Sequence, residues 1–175
     1  MKELKTKKCK ACGDEFTPYS TMSKVCSPAC ALQYVTQVNA KKERAKQRIK
    51  KELLKTRGDW LKEAQTNFNK FIRLRDINEP CISCGRHHQG QYHAGHYRTV
   101  GSNPELRFDE LNVHKQCSAC NNHKSGNIVE YRLNVVKKIG AEALSGLEGP
   151  HDPLKLSIEE IKELKKRYAK KAIGA

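Results

Sequence analysis

An α+β fold, mostly helical and organised around cysteine, is predicted for the 175-residue chain by three observations. Eight cysteines fall as four close pairs, Cys9/Cys12, Cys26/Cys30, Cys81/Cys84 and Cys117/Cys120. Apolar residues recur at helical spacing outside those pairs, from Trp60 to Ile72 and from Ile158 to Tyr168. The composition is only 37% hydrophobic and 30% charged, too lean for a large core, so structural metal is the expected supplement to burial.

Taken in order, residues 1–40 read as a tetracysteine finger. Cys9-Lys10-Ala11-Cys12-Gly13 is a knuckle, with Gly13 free to take the positive φ that turns backbone amides toward sulfur. Ser27 is an N-cap and Pro28 a first helical residue, so Cys30 lies in the first turn of a helix running through Ala31, Leu32, Tyr34, Val35 and Val38. Knuckle followed by helix predicts a treble-clef-like unit.

Residues 41–78 are a basic helical region. From Lys41 to Arg57 nine basic residues face only Glu43 and Glu52, and Ala45, Ile49 and Leu53 make too narrow a line for a core face. This is an exposed helix, either lying along phosphates or serving as a linker or a stripe for a partner. Gly58 is read as a break and Asp59 as the cap of a second helix to about Arg75, with Trp60, Leu61, Ala64, Phe68, Phe71 and Ile72 on a packed face. Pro80 stops it.

Residues 79–127 hold the second cysteine unit, and 128–175 are helical again. A helix is expected from about Asn127 to Ile139, closed by Gly140, then a loop-rich stretch through Pro153. A last helix opens on the capping box Ser157-Ile158-Glu159-Glu160 and carries Ile158, Ile161, Leu164 and Tyr168.

Net charge is +15, from 34 Lys and Arg against 19 Asp and Glu, which points to a polyanionic partner, with DNA or RNA the default. No amphipathic basic helix has the broad apolar face that an anionic membrane requires. The N-terminus lacks an apolar signal stretch and no apolar run approaches the ~18 residues needed to cross a bilayer, so a soluble protein of the reducing cytoplasm is expected. In that compartment close cysteine pairs are metal ligands rather than disulfides. Four thiolates close the sphere of Zn²⁺, so Cys9, Cys12, Cys26 and Cys30 hold one expected structural zinc and Cys81, Cys84, Cys117 and Cys120 a second. Neither leaves a position for a catalytic water.

The 32 residues between the inner pairs contain five of the seven histidines, His87, His88, His93, His96 and His114. The segment Tyr92-His93-Ala94-Gly95-His96-Tyr97, the run Arg107-Phe108-Asp109-Glu110-Leu111-Asn112-Val113 and Cys117-x-x-Cys120-Asn121 together resemble the zinc-stapled HNH nucleases of ββα-metal fold, of the phage endonuclease VII kind. Within these the chain is most similar to the NinG, or Rap, recombination nucleases of lambdoid phages. The HNH likeness covers about residues 79–127, and the NinG likeness most of the chain.

The resemblance implies a structure-specific endonuclease that cleaves branched recombination intermediates, Holliday junctions and D-loops, in the host-cell cytoplasm. It implies His96 as general base at the end of the first strand, Asn112 as the residue pinning the turn between strands, and Asn121 as a ligand of a catalytic Mg²⁺ or Mn²⁺. Gly95 stands where the family places a carboxylate or histidine. His93 lies two residues before it on the same face of a strand, and His123 is a further candidate; a bulge at Gly95 is needed if His93 and His96 are to converge. Imidazole with a pKa near 6.5 suits proton removal from water, and a hard divalent cation suits charge on phosphoryl oxygens. Lys115, Lys124 and Arg98 are phosphate-contact candidates, and His87 and His88 an exposed turn. Two-fold symmetry of a four-way junction makes a homodimer the economical assembly. The rival reading is a non-catalytic zinc-finger accessory protein of recombination that grips nucleic acid; the loss of a ligand at Gly95 favours it.

Overall fold

A computed structural model describes residues 5–175 and divides the chain into two compact units, one ending at Lys55 and one spanning Thr56–Ala175. In the first, strands β1 (Lys7–Lys8) and β2 (Glu15–Phe16) pair antiparallel around the knuckle. Gly13 takes φ +86° and its N–H returns to the Cys9 carbonyl at 3.0 Å, closing the turn. Helix α1 (Pro28–Leu53) follows, with the Ser27 hydroxyl accepting from the Cys30 N–H at 3.2 Å and Pro28 in the first turn. Finger helix and basic segment are thus one 26-residue helix, and none of its residues is buried. Its sequence explains this: after Asn39 the apolar positions are too sparse to make a packing face.

The second unit has the core. Helix α2 (Arg57–Arg75) starts three residues earlier than a cap at Asp59 would put it, because Thr56 is the N-cap and Asp59 closes a capping box with it as the third helical residue. Gly58 sits inside the first turn. The face Trp60, Ala64, Phe68, Phe71 and Ile72 is buried, as its spacing predicts. Strands β3 (Tyr92–His96) and β4 (Val113–Cys117) pair antiparallel, and a 3₁₀ turn, Pro104–Phe108, lies in the connection between them. The pairing is regular, Gly95 facing His114 and His96 facing Val113, so the bulge expected at Gly95 is absent.

One face of this pair, with Ala94 and Val113, packs on Phe68, Phe71 and Ile72 of α2 and on Tyr168 and Ala172 at the C-terminal end. Phe68 meets Phe108 and Tyr168 edge to face, at 5.7 and 4.8 Å between ring centres, each such pair adding about 1 kcal/mol beyond burial. Toward the opposite face come a helical turn, Ala119–His123, and helix α3 (Ile128–Ile139), whose Tyr131 is buried. The stretch expected to be a loop after Gly140 contains helix α4 (Ala141–Glu148), which packs Leu144 and Leu147 with Tyr131 and Val135. Two leucines three residues apart in an eight-residue helix are too short a signal for periodicity. Helix α5 (Ile158–Lys171) opens on the Ser157–Glu160 capping box and buries Ile161 and Tyr168. In total the α-helices take up about half of the chain, less than a mostly helical fold, because the knuckles and the β3–β4 connection consume residues that no helix can use. Among the described residues no helix is long and apolar enough to cross a membrane.

Candidate functional site

The two cysteine quartets form as their spacing requires. In each, the four sulfur atoms lie within 4.8 Å of one another, and each can hold a zinc ion. Backbone N–H groups point at sulfur in both, Cys26 to Cys9 at 3.4 Å and Cys117 to Cys81 at 3.3 Å, which favours the thiolate form that metal demands. The second quartet is sewn into the sheet. The Ile82 N–H reaches the Lys115 carbonyl at 3.0 Å, so the knuckle runs against β4, while Cys117 ends that strand and Cys120 sits in the turn beyond. His88, read as an exposed turn, is exposed but places its Nε2 3.1 Å from the Cys84 sulfur.

Around this staple the β3–β4 connection is held by one buried side chain. Asn112, 0% exposed, donates from Nδ2 to the carbonyls of Arg98 (3.0 Å) and Leu106 (3.1 Å) and accepts at Oδ1 from the Arg98 N–H (2.8 Å). Its own carbonyl accepts from the Tyr97 N–H at 2.8 Å. The backbone leaving β3 just past His96 is therefore fixed from both sides.

His96 is partly buried beside Phe68, ring centres 6.5 Å apart, and its Nε2 lies 3.0 Å from the Arg107 carbonyl oxygen. A carbonyl only accepts, so Nε2 carries the proton and the neutral ring keeps its lone pair on Nδ1. Burial lowers the His96 pKa below 6.5, and the Arg107 charge adds to this against the carbonyl bond, so the ring is a neutral base at neutral pH.

The other candidates are distributed around it. Regular pairing puts His93 and Gly95 on the face opposite His96, together with His114 and Gln116 of β4. His93 Nε2 is 3.5 Å from the Asn122 amide nitrogen, which also donates to Ser118 Oγ at 3.2 Å. Asn121 donates to the Asn122 side-chain oxygen at 2.7 Å, and His123 is exposed on the same turn. Among the described residues no third group of histidine, cysteine or carboxylate ligands accompanies the two quartets. Lys115 does not serve as the free cation expected from its position. It is buried, donates to the Ile77 carbonyl at 2.8 Å and lies over the Tyr92 ring at 4.5 Å. Lys124 is exposed, and Arg98 is partly buried with Nε unpartnered.

Four residues were missed by reading the sequence. Gln116, Tyr131 and His114 line the face behind Gly95: the Tyr131 hydroxyl donates to the Gly95 carbonyl at 2.9 Å and so accepts from His114 Nδ1 at 3.2 Å. Burial, with the charges of Arg75 and Lys138, pushes the His114 pKa down to about 3, so it is a neutral structural residue. Asp76, buried at the end of α2, takes two bonds from Arg75 at 2.8 Å, one from the Lys115 N–H at 3.0 Å and an ion pair from Lys138 at 3.2 Å. Burial alone would raise its pKa, but these partners outweigh burial and hold it down to about 2. Arg75 also donates to the Glu110 and Val113 carbonyls, so this charged knot ties α2 to the start of β4.

Fold and centres define a class: a basic protein of two tetracysteine units able to hold zinc, the second clamping an antiparallel β-pair and the helical turn that follows it. The comparison with known families then places it. Residues 1–173 match the family described as Bacteriophage Lambda NinG protein. Protein ninG of Escherichia phage lambda is 41% identical over 185 residues, covering 94% of this chain and 91% of that protein. Protein ninG of Salmonella phage P22 is 40% identical over 191 residues, covering 98% and 94%, and that of Escherichia phage 933W is 40% identical over 183 residues, covering 94% and 91%. The chain belongs to the NinG family of lambdoid phage proteins. No solved structure matches it.

Proposed function

We propose that the protein is a divalent-cation-dependent DNA endonuclease of the HNH type that cuts branched recombination intermediates. The observation that carries this reading is the state of His96, a neutral imidazole at the end of a strand, with Nε2 committed to the Arg107 carbonyl and Nδ1 left as a proton acceptor. Asn112 locks the loop beside this ring, so its position at the strand end is fixed.

In this reading His96 Nδ1 takes a proton from water as the water oxygen attacks phosphorus; the bond to the 3′ oxygen breaks, leaving 5′-phosphate and 3′-hydroxyl ends. Mg²⁺ or Mn²⁺, when bound, neutralises charge on the phosphoryl and leaving oxygens. Asn121, with His123, is the side-chain set proposed to hold it; His93, on the face opposite His96 with no bulge between them, is left out of that set. The net charge of +15 attracts the polyanion, and the preference for branched substrates follows from the resemblance to the recombination nucleases. Two cuts across a symmetric junction call for two copies of the chain.

A second reading, a zinc-finger accessory protein that binds but does not cut, draws support from Gly95 and from the lack of a third His and carboxylate cluster among the described residues. Incubating the zinc-loaded protein with a labelled four-way junction and with matched linear duplex, in Mg²⁺, Mn²⁺ or EDTA, separates the two. Cleavage with divalent cation, lost about a hundredfold or more in His96→Ala, is the expected result. Junction binding without cleavage in either cation establishes the accessory reading, and a His96→Ala variant as fast as the parent removes the base.

A further inference from the structure

We infer that helix α1 lies along the phosphates of duplex DNA through one face, formed by Lys41, Arg44, Arg48 and Lys51, so that the first unit is where the protein grips its substrate. This rests only on DNA binding, which the nuclease and the accessory readings share.

Charge is unevenly divided between the two units. Residues 1–55 carry 14 Lys and Arg against 5 Asp and Glu, and the remaining 120 residues carry 20 against 14, so most of the net charge of +15 belongs to less than a third of the chain. Within α1 that charge is ordered. Lys41, Arg44, Arg48 and Lys51 follow one another at steps of three, four and three residues, which puts them inside about 80° of arc and along about 15 Å of the helix axis. Every residue from Asn39 to Leu54 is exposed, so the whole line is open to a partner.

Like charges at these spacings destabilise a helix, and the chain does not relieve them. Glu43 pairs with Lys46 at 2.9 Å and Glu52 with Lys55 at 2.6 Å, while among the described residues none of the four cations in the line has an ion-pair partner. A ligand with evenly spaced negative charge removes the repulsion along the full line. Duplex DNA, with one charge per about 1.7 Å of axis, is such a ligand. From Val38 to Thr56 there is no aromatic residue, whereas single strands are held by aromatic platforms on which bases stack, so the double helix is the better match. Lys42, Lys46 and Lys50 occupy another side of α1, interleaved with Ile49 and Leu53, and Lys46 is already engaged by Glu43. The finger that leads into α1 adds a second cationic surface, a cavity of about 450 Å³ lined by Lys7, Lys8, Lys10 and Lys24 with no carboxylate among the described residues. Lys7 is committed to the Thr21 carbonyl at 2.6 Å, which leaves the other three to face an anion.

Two triple variants of the zinc-loaded full chain test this, because both lower the net charge equally. One is Arg44→Gln, Arg48→Gln and Lys51→Gln, and the other is Lys42→Gln, Lys46→Gln and Lys50→Gln. Binding to a labelled duplex and to a four-way junction is followed by fluorescence anisotropy between about 50 and 200 mM salt. The first variant is expected to keep the parent's circular dichroism and zinc content, to bind about tenfold or more weakly, and to flatten the salt slope by about 2.7, near 0.9 for each phosphate released. The second should weaken binding less than about threefold, the effect of removing charge that only attracts from a distance. Equal losses in the two variants, a larger loss in the second, or a parent that prefers single strands to duplex overturns the inference. So does a first variant that loses self-association at unchanged DNA affinity, which would make the line a contact between copies. Cleavage separates this outcome from the nuclease reading: a parent that grips through the line but never cuts leaves the inference standing and removes the nuclease, and a first variant that binds and cuts as the parent does removes the inference alone.

Discussion

The two cysteine quartets share ligands and spacing class but differ in what surrounds them. In the first, Cys12 and Cys26 are exposed, the hairpin has two residues per strand, and the helix it leads into buries nothing. In the second, Cys81, Cys117 and Cys120 are buried and pack with Tyr92 beside three apolar clusters built from α2, α3, α4, α5 and the sheet. A metal ion held by the first unit would therefore be most of what opposes the chain entropy of that unit. In the second it fixes the geometry of a fold that already has apolar burial.

The largest expected effect breaks the two apart. Cys12→Ser should unfold the first unit, seen as loss of amide exchange protection from Lys7 to Cys30, with the Thr56–Ala175 unit melting as in the parent. Cys120→Ser should instead lower the melting temperature of the second unit and leave much of its helical signal. Graded chelation should remove zinc in two phases, the exposed quartet first. A single phase, or equal loss of structure in both units, would show that burial around the second quartet contributes little.

Next in size is Asp76, a buried charge that has no counterpart among the described residues of the first unit. Replacing it by Ala strands Arg75, Lys138 and the Lys115 N–H without their acceptor, a cost of about 3–5 kcal/mol measured by chemical denaturation. Acid should act on the same region in two steps. His114 is pushed from 6.5 down to about 3, so below pH 6.5 the unfolded chain gains a proton that the folded chain refuses, and stability falls from there toward pH 3. Asp76 is held at about 2, so its contribution is complete above the ordinary 3.8 and is lost as pH falls from 3.8 toward 2. The difference between parent and His114→Asn isolates the first step, and a difference independent of pH would refute it.

Asn112→Ala should cost about 2–3 kcal/mol, since one buried side chain satisfies three backbone groups and its loss leaves them unpaired. Under the nuclease reading cleavage should drop more than stability accounts for, because the backbone after His96 loosens. Cleavage that follows the folded fraction alone would confine Asn112 to the fold.

What could be read from sequence and what could not divides along a physical line. Ser27 before Pro28, the Ser157–Glu160 box and the apolar face of α2 are local, so they name their elements without reference to the rest of the chain. The cysteine quartets are long-range contacts, yet legible, because metal chemistry dictates ligand type and spacing. Thr56 was passed over as cap because Asp59 is as good a candidate and only the backbone shows which closes the box on which. Lys115 and Gln116 defeat pattern reading altogether. Residue type places both on a surface, whereas the Ile77 carbonyl and the space above Gly95, contributed by distant segments, bury them.

The smallest effect tests how far the first unit depends on anything besides metal. The Ser27 hydroxyl caps α1 by accepting from the N–H of Cys30, whose sulfur belongs to the first quartet, so Ser27→Ala removes about 1 kcal/mol from a helix with no burial to compensate. In the second unit Ser157→Ala removes a similar cap from α5, where Ile161 and Tyr168 remain buried. Equal bond losses should therefore have unequal consequences: fraying of α1 from its first turn and faster zinc release in Ser27→Ala, but only a small shift of melting temperature in Ser157→Ala. If zinc leaves the first quartet of Ser27→Ala no faster than that of the parent, the sulfur cage alone suffices to hold the start of α1, and the cap is incidental to it.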